Sequence, residues 1–172
     1  MHERMSAIEP VIFLNPGEFC FYVPQPGKPP PVRLHTLLGS CVSVVLWHPE
    51  KRIAGMSHGI MPDRGAKART GGPDGRYCNE AIELFQREVT KLSLSPQQFS
   101  AYIVGGGVMY ALDSQATSVG NRNMEVTRDL VQRAGFNLRG EHAGALGYRK
   151  LAIDLATGVV SVQHNQLWCC LP

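Results

Sequence analysis

The stretch from His35 to Pro62, HTLLGSCVSVVLWHPEKRIAGMSHGIMP, decides the fold because it predicts two neighbouring buried strands. Its apolar run, Val42 to Trp47, is too short and too rich in β-branched residues for a helix, so it predicts a strand. A turn at His48 to Lys51 follows, and Arg52 to Ser57 continues as a second short strand that ends at His58. Two adjacent strands with a tight connection predict a β-hairpin.

The register of this hairpin decides whether Cys41 and His58 can meet, because side chains share a face only at even spacing along a strand. A four-residue loop places Trp47 opposite Arg52. The same count places Cys41 opposite His58, with their Cβ atoms roughly 5 Å apart. A loop that differs by one residue places Cys41 opposite Gly59 instead, and a β-bulge changes either register. The sequence therefore permits a Cys–His pair and leaves the register open.

A cysteine beside a histidine is an arrangement that supports nucleophilic catalysis, since the imidazole takes the thiol proton and leaves the reactive thiolate. Gly39 lets the backbone approach a substrate closely, and main-chain N–H groups near Ser40 and Cys41 can stabilise an oxyanion. The alternative is packing, with Cys41 a small buried strand residue and His58 a hydrogen-bonded residue at a strand end. The spacing alone does not decide between these two interpretations.

Several motifs, in order along the chain, resemble those of one protein family. The core motif is Thr36 to Trp47, TLLGSCVSVVLW, followed by Gly55 to Pro62, GMSHGIMP. The other matching segments are Asn15 to Glu18, Gly75 to Tyr77 leading into Ala81 and Ile82, Val104 to Gly107 followed by Met109, Gly120 to Asn123, and Gly144 to Arg149. Together these motifs span about residues 11–162, and they closely resemble CheD, the family of bacterial chemoreceptor glutamine deamidases.

The resemblance implies a cytoplasmic protein-glutamine glutaminase that converts selected glutamines of chemotaxis receptors to glutamate, using a cysteine, a histidine and a threonine and no cofactor or metal. By position, Cys41 is then the nucleophile that forms a thioester, and His58 is the general base and acid. Thr36 is the nearby candidate for the threonine. In some members that threonine lies one residue earlier, where this chain has His35, and such an offset turns the side chain to the other face of a strand.

The resemblance also implies partners and leaves two other functions open. The expected partners are the cytoplasmic helices of chemotaxis receptors and a CheC-type phosphatase, with no nucleic acid and no membrane insertion. One alternative is an adaptor that binds and regulates a CheC-type phosphatase with little catalysis of its own. The other is a cysteine hydrolase or transglutaminase-like enzyme that acts on a different amide. Retention of both Cys41 and His58 favours an enzyme, because an adaptor needs neither.

Composition is consistent with a cytoplasmic protein of a single domain, residues 1–172, with its core at about 11–162. The net charge of +3 does not argue for nucleic acid or a membrane surface, and no apolar run is long enough to span a bilayer. Five cysteines without Cys-x-x-Cys spacing predict neither a disulfide framework nor a zinc site. The proline-rich segment 24–31 predicts a surface loop, and the tail 163–172, with Cys169 and Cys170, could pack on the domain or offer a partner surface.

The order of elements predicts an α/β fold, a layered sandwich of mixed β-sheet with flanking helices, similar through the family to the catalytic domain of the cytotoxic necrotising factors. Amphipathic spacing predicts helices over Cys78 to Leu92 and Asn123 to Ala134, the second one capped by Asn121 or Asn123. Further strands are predicted at 11–14, 19–23, 101–104, 136–141, 151–155 and 159–163.

Two loops are predicted to lie near the candidate site. The Gly105 to Gly107 triplet lacks the spacing of a phosphate-binding motif, so it predicts a tight turn or a close approach to the active-site backbone. Asp63 to Arg76 is rich in glycine, lysine and arginine and leaves directly from the strand that ends at His58. It is either a solvated loop or a border of the active site that helps to hold an acidic receptor helix.

Overall fold

A computed structural model of the chain describes residues 10–29, 31–65, 67, 69–109 and 118–165. Within these ranges lie nine strands, two α-helices and a short 3₁₀ turn at Pro96–Gln98. The strands are β1 Val11–Phe13, β2 Phe19–Tyr22, β3 Arg33–Leu38, β4 Val42–His48, β5 Ile53–Ser57, β6 Ser100–Gly105, β7 Asn137–Ala143, β8 Tyr148–Asp154 and β9 Val160–Asn165, and the helices are α1 Cys78–Lys91 and α2 Val119–Arg133. The predicted role of the tail at Cys169 and Cys170 falls outside the described residues.

The elements form three layers, with helices on one side, a five-stranded sheet in the middle and a four-stranded sheet on the other side. The middle sheet has the strand order β2-β5-β4-β6-β7, and the outer sheet has the order β1-β3-β8-β9. Both sheets are mixed, since β6–β7 and β1–β3 pair in parallel while their other pairs are antiparallel. The predicted layered α/β fold with mixed sheet and flanking helices is confirmed.

The middle position of the five-stranded sheet explains why β4 is buried along its whole length. Alternate side chains of a strand point to opposite faces, so Val44 and Leu46 pack against the helices while Val45 and Trp47 pack against the outer sheet. Phe85 of α1 is fully buried in the helix-side core. A strand that is covered on both faces has apolar residues on both. For this reason the apolar residues of β4 are consecutive and do not alternate with polar ones.

The β4–β5 hairpin forms as predicted, but the predicted register is wrong by two residues. Trp47 pairs with Ala54 and His48 with Ile53, so the four-residue loop is Pro49 to Arg52. His48 therefore belongs to the strand rather than the turn, and its Nδ1 accepts a hydrogen bond from the Lys51 N–H at 3.3 Å. A slip of two residues preserves the alternation of faces, which matters for the site.

The predicted strands at 11–14 and 19–23 form as β1 and β2, which pair with β3 and β5 in different sheets. Two other expectations need correction. The strand β3, which was not predicted as a separate element, lies in the middle of the outer sheet. Helix α2 begins at Val119, earlier than predicted, because Ser118 is its N-cap and accepts a hydrogen bond from the Asn121 N–H at 3.2 Å.

Across the part of the chain that the structure describes, neither helix is long and apolar enough to cross a bilayer.

Candidate active site

The three predicted side chains belong to three different segments of the chain. All three face the interface between the two sheets. Cys41 directly precedes β4, and His58 directly follows β5, both in the middle sheet. Thr36 lies on β3 of the outer sheet, with its side chain on the buried face between Leu34 and Leu38. The candidate site is therefore a junction between the two sheets rather than a feature of one hairpin.

Thr36 and His58 make a buried hydrogen-bonded network across the sheets. Thr36 Oγ1 lies 2.7 Å from His58 Nδ1 and donates to the Leu14 carbonyl, also at 2.7 Å. A hydroxyl has one proton to donate, so its oxygen must accept from His58 Nδ1–H. The Leu14 carbonyl at 3.4 Å is a second acceptor on the same ring nitrogen. We infer that Nδ1 carries the proton and that Nε2 presents a lone pair.

The main chain of His58 is held as firmly as its ring. Its N–H donates to the Glu18 carbonyl at 3.0 Å, and its carbonyl accepts from the Gly17 N–H at 2.8 Å. The side chain is buried, and Nε2 makes no hydrogen bond to any residue that the structure describes. The protein therefore holds the ring through Nδ1 and the main chain, and Nε2 is the ring nitrogen that these contacts do not use.

Cys41 lies on the same face of the middle sheet as His58, diagonally across the ladder. Val42 and Gly59 exchange two main-chain hydrogen bonds of 2.9 and 2.8 Å, which continue the β4–β5 register beyond both strands. That pairing puts Cys41 one diagonal step from His58, a separation of roughly 7–8 Å between backbones. Cys41 is half-buried and reachable from solvent. The two residues therefore face the same interface between the sheets, where Cys41 packs with the core of the outer-sheet side.

Burial sets the charge state of both groups. It raises the pKa of the Cys41 thiol, while the residue's own backbone N–H opposes the shift. Burial also lowers the pKa of His58, against opposing effects of the Leu14 carbonyl and the Glu18 carboxylate. Both shifts favour the uncharged form, so Cys41 rests as a neutral thiol and His58 as a neutral imidazole. Such an imidazole is in the state that accepts a proton.

The glycine triplet Gly105 to Gly107 holds the backbone of the loop Gly39 to Cys41, here called the cysteine loop. The Gly106 N–H donates to the Cys41 carbonyl at 2.9 Å, and the Gly107 N–H donates to the Gly39 carbonyl at 2.8 Å. Gly105 has φ +125°, and a Cβ there would collide with the Cys41 carbonyl. Only glycine combines this conformation with so close an approach. The predicted close approach of this triplet to another part of the backbone is confirmed, and that part is the loop around Cys41.

Asn123 has a role that the sequence-based interpretation missed. It does not cap α2 but lies inside that helix, fully buried, with its Nδ2 donating to the Ile60 carbonyl at 2.9 Å and to the Ser40 carbonyl at 3.3 Å. It therefore joins the cysteine loop to the chain that leaves His58. An asparagine early in a helix favours a capping interpretation, and only the tertiary contact between α2 and these loops reveals the other one.

The main-chain N–H groups of Ser40 and Cys41 are available for an oxyanion. Among the described residues, none accepts a main-chain hydrogen bond from either group. The carbonyls that share peptide planes with these N–H groups are those of Gly39 and Ser40, which accept from the Gly107 N–H at 2.8 Å and from Asn123 Nδ2 at 3.3 Å, and these bonds fix the orientation of the two planes. Gly39 lies under Met109, where a Cβ would press on the sulfur. The geometry is thus compatible with the predicted roles, in which Gly39 allows a close approach of the backbone and the N–H groups near Ser40 stabilise an oxyanion.

The other groups with potential reactivity do not extend the site. Cys78 lies on the helix side of the middle sheet, where burial raises the pKa of its thiol to about 11. Cys20, Cys41 and Cys78 are free thiols. Within the described ranges, no three His, Cys, Asp or Glu side chains converge in an arrangement that could hold a metal ion.

Comparisons with known proteins agree with the resemblance seen in the motifs. The family model described as "CheD chemotactic sensory transduction" matches residues 60–164. The chain is 35% identical over 170 residues to the probable chemoreceptor glutamine deamidase CheD of Pseudomonas syringae pv. tomato, covering 97% of this chain and 95% of that protein. It is 39% identical over 156 residues to the probable chemoreceptor glutamine deamidase CheD 3 of Dechloromonas aromatica, covering 90% and 88%.

More distant similarities extend to an archaeon and to one solved structure. The probable chemoreceptor glutamine deamidase CheD of Thermococcus kodakarensis is 30% identical over 127 residues, which cover 73% of this chain and 78% of that protein. The crystal structure of Bacillus licheniformis hypothetical protein YfiH aligns with a TM-score of 0.43 and 14% identity, over 68% of this chain and 49% of that one.

Proposed function

Because the chain belongs to the CheD family, we propose that it is a cysteine amidohydrolase that converts glutamine side chains of chemotaxis receptors to glutamate and releases ammonia. One observation of the structure supports this proposal above the others. The Thr36 hydroxyl fixes His58 with Nδ1 protonated, which leaves a buried, unpartnered Nε2 on the same face as the Cys41 thiol. In this proposal Cys41 is the nucleophile, His58 is the base, and Thr36 is the group that orients the base.

In the first half of the proposed reaction, His58 Nε2 takes the Cys41 proton as the sulfur attacks the glutamine carboxamide carbon. The N–H groups of Ser40 and Cys41 stabilise the negative oxygen of the tetrahedral intermediate. The His58 imidazolium then returns the proton to the amide nitrogen, and the C–N bond breaks. Ammonia leaves, and a thioester joins Cys41 to the substrate side chain.

In the second half, His58 is neutral again and activates a water molecule. The water oxygen adds to the thioester carbon, and the same N–H groups hold the oxyanion. The C–S bond then breaks, the thiol is restored, and glutamate is released. The Thr36 contact keeps Nδ1 protonated and stabilises the imidazolium that forms in each half. The chain's own groups supply each proton transfer, which is consistent with the expectation that no cofactor is needed.

The direct test is incubation of the protein with a purified receptor cytoplasmic fragment, followed by ammonia detection and peptide mass spectrometry. We expect stoichiometric ammonia and a gain of one dalton at specific glutamines. If a protein shown to be folded gives neither ammonia nor the mass gain with several receptors, the proposal is overturned. In that case binding to a CheC-type phosphatase without turnover would favour the adaptor function. Turnover of only non-receptor amides would favour the other hydrolase.

Removal of the Thr36 hydroxyl should lower turnover without abolishing it. We expect Thr36→Val to lower kcat about 10- to 100-fold, since the base loses the group that fixes its tautomer. Thr36→Ser keeps the hydroxyl and should restore most of the activity. Steady-state kinetics on the receptor fragment measure both variants. Equal activity of Thr36→Val and wild type, or no rescue by serine, would contradict an orienting role for Thr36.

The lowered pKa of His58 should be visible in the pH profile. The base works in its neutral form, so kcat/KM should decline on the acid side with a midpoint below the ordinary value of about 6.5. Because the Glu18 carboxylate raises the pKa of His58, Glu18→Gln should move that midpoint lower still. A wild-type midpoint at or above about 6.5, or an upward shift in Glu18→Gln, would contradict this assignment.

Circular dichroism over the same pH range separates titration from unfolding. A histidine whose native pKa is lowered binds fewer protons than it does in the unfolded chain, so folding stability rises with pH and falls below about 6.5. The acid-side midpoint of kcat/KM reports the titration of His58 only over the pH range in which the ellipticity is unchanged.

A further inference from the structure

A groove of about 500 Å³ opens between the chain that leaves His58 and the start of α2. Asn123 binds both the Ser40 carbonyl and the Ile60 carbonyl through one amide nitrogen. Met61, which follows Ile60, and Arg122, which precedes Asn123, both line the groove. Asn123 thus connects the two walls of the groove to the loop that carries the proposed nucleophile.

The rim of the groove is partly apolar and exposed. Met61 retains 45% and Val119 retains 49% of its accessible surface, although both are large apolar side chains. Tyr77 forms part of the floor and carries the Arg64 guanidinium 4.6 Å above its ring. Exposed apolar residues beside a catalytic site indicate a surface that contacts substrate.

The charges of the groove differ from what the basic composition of the 63–76 loop suggests. Arg64 pairs with the buried Glu80, while Arg69 pairs with Glu83 at 2.7 Å. Arg76 likewise pairs with Asp74 at 2.6 Å. Arg64 and Arg69 thereby join the loop to α1, while Arg76 pairs within the loop. Because all three already have carboxylate partners, cations without such a partner are the better candidates for binding an acidic helix.

Two cations of the groove remain without such a partner. Lys67 and Arg122 are exposed, line the groove, and form no ion pair or side-chain hydrogen bond with any residue that the structure describes. The groove's one unpaired acid, Asp63, uses its carboxylate to accept the Gly65 N–H at 2.6 Å. A ligand that lies across Met61 and Val119 thus meets two free positive charges.

We propose that this groove is the docking site for the acidic face of the receptor helix that carries the target glutamine, with Arg122 and Lys67 binding its carboxylates. The proposal rests on the deamidase function and names the residues that select its substrate. Since the groove is connected to the cysteine loop through Asn123, and an α-helix rises 5.4 Å per turn, we expect the recognised carboxylates within about two turns of the glutamine. Apolar side chains of the same helix face contact Met61 and Val119.

The test measures KM and kcat for the receptor fragment with Arg122→Ala and with Lys67→Ala. Each change should raise KM about three- to tenfold and leave kcat within about twofold, because the charges bind substrate but do not touch the reacting atoms. Arg133→Ala is the matched control, since Arg133 lies on the same helix but pairs with Asp129 at 2.9 Å. We expect it to behave like the wild type.

A second measurement changes the substrate instead. In a receptor fragment whose acidic residues within two turns of the glutamine are replaced by alanine, the wild-type KM should rise, and Arg122→Ala should add little to that rise. The docking proposal is overturned if the increases in KM from Arg122→Ala and from the altered substrate are additive, or if KM is unchanged in both Arg122→Ala and Lys67→Ala. Turnover by the wild type in the same assays would leave the deamidase function supported. Absence of turnover by the wild type itself would overturn both.

Discussion

Replacement of Cys41 by alanine is expected to abolish deamidation, lowering kcat/KM for the receptor fragment by at least about 10⁴-fold. The side chain supplies the sulfur that forms the thioester, and in the proposed mechanism no other group near His58 can take its place. Ammonia release and the one-dalton mass gain should both disappear. Brief acid quenching of the wild type during turnover should trap a substrate adduct on Cys41, which the variant cannot form.

Cys20 provides a matched control for this experiment. It is half-buried like Cys41, its strand belongs to the same sheet, and burial raises the pKa of its thiol as well. Cys20 also lies on the same face of that sheet, opposite Met56, but its thiol has no part in the proposed mechanism, so the activity of Cys20→Ala should stay within about twofold of wild type. Retained turnover in Cys41→Ala would exclude the thioester mechanism. An equal loss in both variants would show that the effect is structural.

Much of the middle sheet could be predicted because local pattern decides it. A β-branched apolar run bounded by a turn specifies a buried strand, and both helices follow from their amphipathic spacing. The register of the β4–β5 hairpin could not be predicted, because nothing in His48 to Arg52 distinguishes a turn that includes His48 from one that begins at Pro49. The prediction that Cys41 and His58 share a face is still correct, because a shift of two residues leaves every side chain on the same face of the sheet.

The role of Thr36 depends on the contact between two sheets, which local sequence does not encode. Its side chain reaches His58 only because β3 lies in the outer sheet, with even-numbered residues turned inward, and His35 faces away against Phe13. The glycine triplet was easier to interpret, since three consecutive glycines already require an unusual backbone. Asn123 could not be assigned, because an amide that binds two distant carbonyls leaves no periodic signal.

Replacement of His58 by glutamine is expected to lower kcat about 10³-fold, within the range that a general base and acid contributes. Glutamine keeps a polar side chain of similar reach, so the contact with Thr36 can persist while the proton carrier is lost. Because burial raises the pKa of the Cys41 thiol, the variant has little thiolate at neutral pH. Its residual activity should therefore increase with pH as the thiolate forms directly, whereas the wild type shows its acid-side decline.

His48 supplies the control for a buried histidine. It is as buried as His58 and also has an Nε2 without a partner among the described residues, but it lies on the helix side of the sheet, edge-on to Phe99 at 5.1 Å. His48→Gln should cost stability, measured as a lower melting temperature, yet keep kcat within about threefold of wild type. If His48→Gln and His58→Gln lose activity equally, burial of a polar side chain explains the loss. If only His58→Gln loses it and gains activity with pH, the imidazole between Thr36 and Cys41 is the proton carrier.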